Sequence, residues 1–163
     1  MPFARSLKMM TATALATLAI AGCGGYVGRP TATGFVGTWQ RADGPPSVIS
    51  IARDTDSYHF RWTLRDGPTS VSCDEPDRCF AYASGNRVFE YRFRMFERPG
   101  SSDLFVECVG TPIEPGEPLK FVDRLSLVPG ELELRSQTIE RDDLPLSEPE
   151  APLRFLKTAD EPF

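Results

Sequence analysis

The sequence predicts an all-β domain, most simply a single antiparallel up-and-down barrel of about 8 to 10 strands. Three observations support this fold class. Two segments alternate strictly between apolar and polar residues, turn signals recur roughly every 8 to 12 residues, and no segment keeps a helical period. The 15 prolines also discourage long helices. Short hairpins favour a closed barrel without exposed sheet edges, and a β-sandwich is the alternative.

The first half of the domain contains the clearest alternation. In the segment 58–65, apolar residues occupy every second position, which is typical of a half-buried strand: Tyr58, Phe60, Trp62 and Leu64. Two shorter β-rich runs precede it, at 35–41 and 48–53, and an Asp-Gly-Pro-Pro turn separates them. Two weaker strands follow at 69–73 and 79–83.

The second half repeats the pattern. Between Val88 and Phe96 the apolar side chains again share one face: Phe89, Tyr91, Phe93 and Met95. Pro-Gly turns follow this strand and a later one, as expected for hairpins. The remaining predicted strands are 104–109, 120–128, 131–139 and 153–157. An acidic, proline-bearing loop at 140–152 precedes the last strand, and residues 159–163 form a tail.

The N-terminal 22 residues have the composition of a signal peptide. Arg5 and Lys8 precede an uncharged run from Met9 to Ala21, which ends in small residues. A membrane-spanning helix would need about 20 apolar residues, more than this run supplies. We therefore expect residues 1–22 to be cleaved and to play no part in the fold.

The tetrapeptide Ile20-Ala21-Gly22-Cys23 resembles the lipobox of bacterial lipoproteins. The resemblance implies a diacylglycerol on Cys23, with acyl chains such as palmitate, and anchoring in a lipid bilayer. Gly24 follows the cysteine instead of Asp, which in enterobacterial lipoproteins permits export to the outer membrane. The implied location is the cell envelope, at the outer membrane facing the periplasm in preference to the inner membrane. The alternatives are a non-lipidated secretory signal and a membrane span.

Charge and composition limit the classes of partner that this protein is expected to bind. Cleavage removes Arg5 and Lys8 and no acid, so the formal net charge falls from −5 to −7. An acidic protein is a poor candidate for binding nucleic acid. Residues 23–34 include the lipidated cysteine and a glycine-rich segment that we interpret as a flexible tether, with a reach of only ~20 Å. The β domain is then expected over 35–158, close to the bilayer.

Three cysteines remain besides Cys23. Cys73 and Cys79 flank a turn-rich loop that a disulfide could staple, and export to an oxidising compartment makes such a bridge plausible. A bridge involving Cys108, or none, is the alternative. The cysteine spacing does not fit the paired ligands of zinc sites, and the single histidine, His59, lies elsewhere in the sequence. We expect no metal and no cofactor.

The segment Gly37-Thr38-Trp39 resembles the Gly-x-Trp signature that opens the first strand of lipocalins and related calycin barrels. In that family the Trp covers the closed end of the barrel, and the Gly allows close approach of a neighbouring chain. The family's usual arginine partner near the last strand would be Arg154. The resemblance implies an interior cavity, for which the candidate ligand-binding residues are Trp39, Phe60, Trp62, Phe89, Tyr91 and Phe93. The alternative is that these aromatic residues only fill the core.

No set of residues with a catalytic pattern is visible. His59 lies on the polar face of its predicted strand, and no Gly-x-Ser-x-Gly elbow or phosphate-binding loop is present. The acidic groups lie in predicted turns. We expect a membrane-anchored, non-enzymatic module that binds a small apolar or amphipathic ligand. The alternative is a structural or assembly lipoprotein of the cell envelope that binds a protein partner.

Overall fold

The structure, a computed structural model, describes residues 32–162 and contains one short 3₁₀-helix followed by strands. The 3₁₀-helix is Ala32–Phe35. The strands are β1 Gly37–Arg41, β2 Ser47–Arg53, β3 Tyr58–Asp66, β4 Thr69–Glu75, β5 Arg78–Ala83, β6 Asn86–Glu97, β7 Leu104–Pro112, β8 Leu119–Leu127, β9 Glu133–Arg141, β10 Leu144–Pro145 and β11 Leu153–Ala159. No α-helix occurs within 32–162.

Ten of these strands close into one antiparallel barrel. From β1 to β9 each strand pairs with the next along the chain, and β11 pairs with both β9 and β1. The two-residue β10 only extends a hairpin at the end of β9. The predicted all-β, up-and-down barrel is thus confirmed, and its strand number lies at the upper end of the expected range.

The alternating strands place their apolar faces inside the barrel, as predicted. On β3 and β6, Phe60 and Phe93 belong to the buried core, and Trp62 and Tyr91 pack against it. Polar neighbours on the same strands point outward, because successive side chains of a strand face opposite sides of the sheet. The outer surface also buries aromatic rings. Arg87, for example, covers the Phe80 ring at 4.0 Å from the ring centroid.

One end of the barrel is closed by the 3₁₀-helix and Trp39. The Trp39 side chain is 1 % exposed, and its indole Nε1 donates a hydrogen bond to the Phe35 carbonyl at 2.9 Å. The helix lies tightly against the barrel wall, since a Cβ on Gly34 would come within 2.9 Å of Leu127 Cδ1. Residues 32–34, which we had assigned to the tether, therefore belong to the fold, because the helix packs against the closed end.

Gly37 lies at a close approach between β1 and β11. Gly37 has φ +137°, and a Cβ there would be 2.5 Å from the carbonyl oxygen of Ala159. A side chain at this position would push β11 away from β1, which is the pairing that closes the barrel. Glycine is therefore required for strand closure.

Arg154 is not the partner of Trp39. It lies on the outer face of β11, where its guanidinium pairs with Glu133 at 2.9 Å. The cation over the indole ring is instead Lys157, whose Nζ is 5.4 Å from the ring centroid. The prediction of Arg154 was wrong because the alternation of β11 points residues 153, 155 and 157 inward and residue 154 outward.

Trp39→Ala should lower the free energy of unfolding by ~3–5 kcal/mol, because the truncation leaves a large cavity and removes the hydrogen bond to Phe35. Trp62→Ala is the matched control and should cost less, since Trp62 is only partly buried. Denaturant unfolding of the two variants measures the difference. An equal or larger loss for Trp62→Ala would contradict the role of Trp39 as the closing residue.

Candidate functional site

A cavity of about 210 Å³ occupies the barrel interior. Its walls come from eight of the ten barrel strands, all except β4 and β5. Five of its ten apolar lining residues are aromatic: Phe60, Trp62, Phe93, Phe121 and Phe155. Four side chains bring polar atoms to it: Arg41, Ser47, Asp123 and Ser136. A concave, mainly apolar space with a few converging polar groups is the usual form of a small-molecule site.

The cavity opens at the end of the barrel opposite Trp39. Its lining includes Arg41 at the end of β1, Ser47 at the start of β2 and Leu153 at the start of β11. These three positions lie at the same end, because neighbouring strands are antiparallel. Leu153 is 42 % exposed although it lines the cavity, which places the opening beside it.

Three of the six predicted ligand-binding residues line the cavity: Phe60, Trp62 and Phe93. The Phe60 and Phe93 rings contact each other with centroids 4.8 Å apart. Tyr91 lies beside Trp62, with ring centroids 5.9 Å apart, and lines a neighbouring depression. Phe89 stacks on Tyr91, and Trp39 lies at the closed end. These last three residues do not line the main cavity.

The polar residues of the cavity were missed in the sequence, although the alternation of each strand could have identified them. Arg41 lies two residues after the inward-pointing Trp39, so it must point inward as well. Asp123 lies between Phe121 and Leu125 on the inner face of β8. Both residues lie within strand faces that are otherwise apolar, whereas most acidic groups of the sequence lie in turns and loops.

Arg41 lines the cavity without a partner. Its guanidinium forms no ion pair within residues 32–162, and its Nε–H is shielded from solvent with no acceptor. The guanidinium lies against Gly44, where a Cβ would come within 2.9 Å of Nη2. A charged donor left unsatisfied costs about 1–3 kcal/mol or more. Arg41 is therefore a positive group available to a ligand.

Asp123 is the acidic group of the cavity, and two hydroxyls hold it in place. Thr138 Oγ1 donates to Oδ1 at 2.8 Å, and Ser136 Oγ lies 3.4 Å from Oδ2. Burial raises the pKa of the Asp123 carboxyl above its usual value, and the two hydroxyls only partly offset this effect. Desolvation disfavours the ionised form, so the environment of this carboxyl favours its neutral form more than water does.

The Ser47 hydroxyl already accepts a hydrogen bond from a residue of the cavity wall. The Trp62 indole Nε1 donates to Ser47 Oγ at 3.0 Å, which fixes the indole ring at the side of the cavity. The Trp62 backbone N–H also lies 3.0 Å from Cys73 Sγ. The cavity wall is therefore held by specific hydrogen bonds as well as by apolar packing.

His59 lies outside the barrel, as its polar face predicted. Its Nδ1 is 2.7 Å from Asp77 and its Nε2 is 2.9 Å from Asp54. Hydrogen bonds to Asp54 and then Asp77 raise the pKa of His59, because both carboxylates favour the protonated ring. The hydrogen bond between His59 and Asp54 also lowers the pKa of Asp54. The histidine ties the β2–β3 loop to the β4–β5 turn, and neither ring nitrogen contacts a serine hydroxyl.

The cysteines fall into two groups. Cys73 and Cys79 lie opposite each other on β4 and β5, and the structure joins them in a disulfide. Cys108 is a buried free thiol on the inner face of β7, and burial raises its pKa. Cys23, the predicted signal peptide and the predicted tether up to residue 31 lie outside the described residues.

Comparisons with protein-family models, with curated proteins and with solved structures found no match for this chain. Between residues 32 and 162 there is no helix of sufficient length and apolar character to span a bilayer. Over the same range, no three His, Cys, Asp or Glu side chains are arranged to hold a metal ion.

Asp123→Asn should stabilise the protein at pH 7, because the amide keeps the Thr138 bond and needs no desolvation of a charge. The folded pKa of Asp123 is raised, so the cost of its ionisation appears only above the unfolded pKa of about 4. The stability difference should therefore vanish near pH 3.5. Denaturant unfolding at the two pH values measures it, with Asp56→Asn on the exposed surface as the charge control. A wild type more stable than Asp123→Asn at pH 7 would refute this account.

Proposed function

We propose that this protein is a lipid-anchored binding module that holds a small apolar or amphipathic molecule inside its β-barrel. The observation that carries this proposal is the interior cavity of about 210 Å³, lined mainly by apolar side chains. A barrel that served only as a scaffold would gain stability from filling this space, since empty interior volume is destabilising. The retained cavity supports a ligand.

The lining supports an amphipathic ligand better than a purely apolar one. Leu125, Phe155 and their neighbours supply dispersion contacts and exclude water, while Arg41 and Asp123 present polar groups to the same space. Apolar contact gives affinity, and a few polar groups fix orientation. At the closed end, the buried side chains of Phe35 and Trp39 fill the barrel interior.

The anchor at Cys23 would orient the barrel. The chain enters the barrel at Ala32, in the 3₁₀-helix over the closed end. Eight residues separate Cys23 from this helix, and a coil of that length spans only ~15 Å. An anchored molecule would then hold its closed end towards the membrane and its open end away from it. The ligand would enter from the aqueous side.

The alternative role in envelope assembly has less support. Five large apolar side chains are exposed within the described part of the chain: Ile113, Leu132, Leu144, Leu153 and Leu156. Ile113, Leu144 and Leu153 lie at the open end, whereas Leu132 lies in the β8–β9 turn at the opposite end. Because Leu153 also lines the cavity, part of this exposure belongs to the proposed ligand entrance.

Blocking the cavity should abolish ligand binding. Val106 points into the cavity from β7, so Val106→Phe adds a ring there. Val109→Phe, on the outer face of the same strand, is the matched control. We expect the neutral probe 3-phenylpropan-1-ol to shift NMR signals of cavity residues in the wild type and in Val109→Phe, but not in Val106→Phe. Equal binding of the probe by the two variants would refute the interior site. A folded wild type whose NMR signals do not respond to the probe would also refute it.

Removing the lipid-bearing thiol should release the protein from membranes. Cys23→Ser expressed in a bacterial host is expected in the soluble fraction, whereas the wild type sediments with membranes, because two or more acyl chains give stable anchoring. Cys108→Ser, which replaces a buried thiol of the barrel, is the control and should still sediment. Unchanged fractionation of Cys23→Ser would exclude lipidation.

A further inference from the structure

Arg41 distinguishes this cavity from a simple apolar pocket. Two side chains within residues 32–162 have a buried nitrogen without a hydrogen-bond acceptor, the Nε atoms of Arg41 and Arg124. Arg124 is otherwise held, since its Nη2 donates to Gln137 at 2.6 Å. Arg41 has no such bond and lines the cavity. An unpaired guanidinium beside an apolar space is costly unless an anion neutralises it.

We propose, on the basis of the binding function above, that the ligand is a small aromatic carboxylate whose carboxylate binds Arg41. A carboxylate offers two oxygens in the geometry that a guanidinium recognises. The remainder of the molecule lies among the aromatic rings of Phe60, Trp62 and Phe93. Aromatic rings pair favourably in tilted arrangements, which the wall rings already adopt with each other.

The charge of the cavity sets the charge of the ligand. Arg41 is the one basic side chain that lines the cavity, and Asp123 is the one acidic side chain among the described residues of its wall. A ligand with two negative charges would leave one of them without a cation and close to a carboxyl group. A ligand with one negative charge matches Arg41 and places no second charge beside Asp123. The raised pKa of Asp123 is consistent with this arrangement.

The volume of the cavity limits the size of the ligand. A cavity of about 150 Å³ accommodates benzene. The space here is about 210 Å³, which leaves room for a ring with a short side chain but not for a long acyl chain. We therefore assign a molecule of roughly ten non-hydrogen atoms, such as a phenyl ring joined to a carboxylate by a short aliphatic linker.

The test compares three probes with one carbon skeleton: 3-phenylpropanoate, 3-phenylpropan-1-ol and 3-phenylpropylamine, measured by titration calorimetry on the wild-type protein. The expected result is that the acid binds tenfold or more tightly than the alcohol, because a hydrogen bond to a charged group contributes about 1.5–3 kcal/mol. The amine should bind more weakly than the alcohol, since its ammonium meets the guanidinium. Equal affinities for acid and alcohol would overturn the assignment of an anion while leaving the binding function intact. Binding of none of the three would overturn both.

Arginine variants test whether Arg41 is the residue that binds the carboxylate of the ligand. Arg41→Gln should remove the preference for the acid and leave the affinity for the alcohol within about twofold, because the apolar wall is unchanged. Arg41→Lys keeps a positive charge and should retain part of the preference. Arg61→Gln on β3 removes an arginine outside the cavity lining and should behave as the wild type. A preference that survives in Arg41→Gln, or disappears equally in Arg61→Gln, would refute the role of Arg41.

Discussion

The pairing of β11 with β1 is the interaction on which the rest of this structure depends. It joins the two ends of the barrel sequence, and without it the meander would be an open sheet with two exposed edges. Gly37 permits this pairing because β11 runs where a side chain would otherwise stand. The Thr158 hydroxyl donates to the Thr38 carbonyl at 3.2 Å across the same junction. Because Trp39 lies on β1, the same closure positions the residue that fills one end.

Packed side chains close one end of this barrel, and the cavity lies towards the other end. Phe35, Trp39 and Lys157 occupy the closed end, where apolar burial and a cation over the indole provide stability. Towards the open end the interior instead contains Arg41 and Asp123. The Arg41 guanidinium lacks a hydrogen-bond partner within residues 32–162, and a charged donor without a partner reduces stability, so we propose that it binds a ligand. The division between a packed end and a polar, hollow end is the structural basis of the proposed function.

Hydrophobic alternation predicted which side chains point into the barrel, but it did not predict which outward-pointing side chains are buried. Phe80 and Phe105 point away from the barrel interior, yet both are buried. Arg87 covers the first ring and Arg98 the second, at 4.0 and 4.4 Å from the ring centroids. An arginine side chain can cover apolar surface while its charged end remains in water. A sequence pattern does not reveal such pairs, because the covering residue comes from a different element: Arg87 lies on β6, and Arg98 lies in the turn between β6 and β7.

The sequence by itself determined the strands, their inward faces and the up-and-down order, because these depend on the two-residue period and on turn residues close in the chain. Tertiary structure alone decided that Lys157 and not Arg154 lies over Trp39, since this depends on the register between β1 and β11. It also decided that the interior is hollow and that Arg41 and Asp123 share it. A cavity results from how ten strands are spaced around a ring, and no local pattern encodes that spacing.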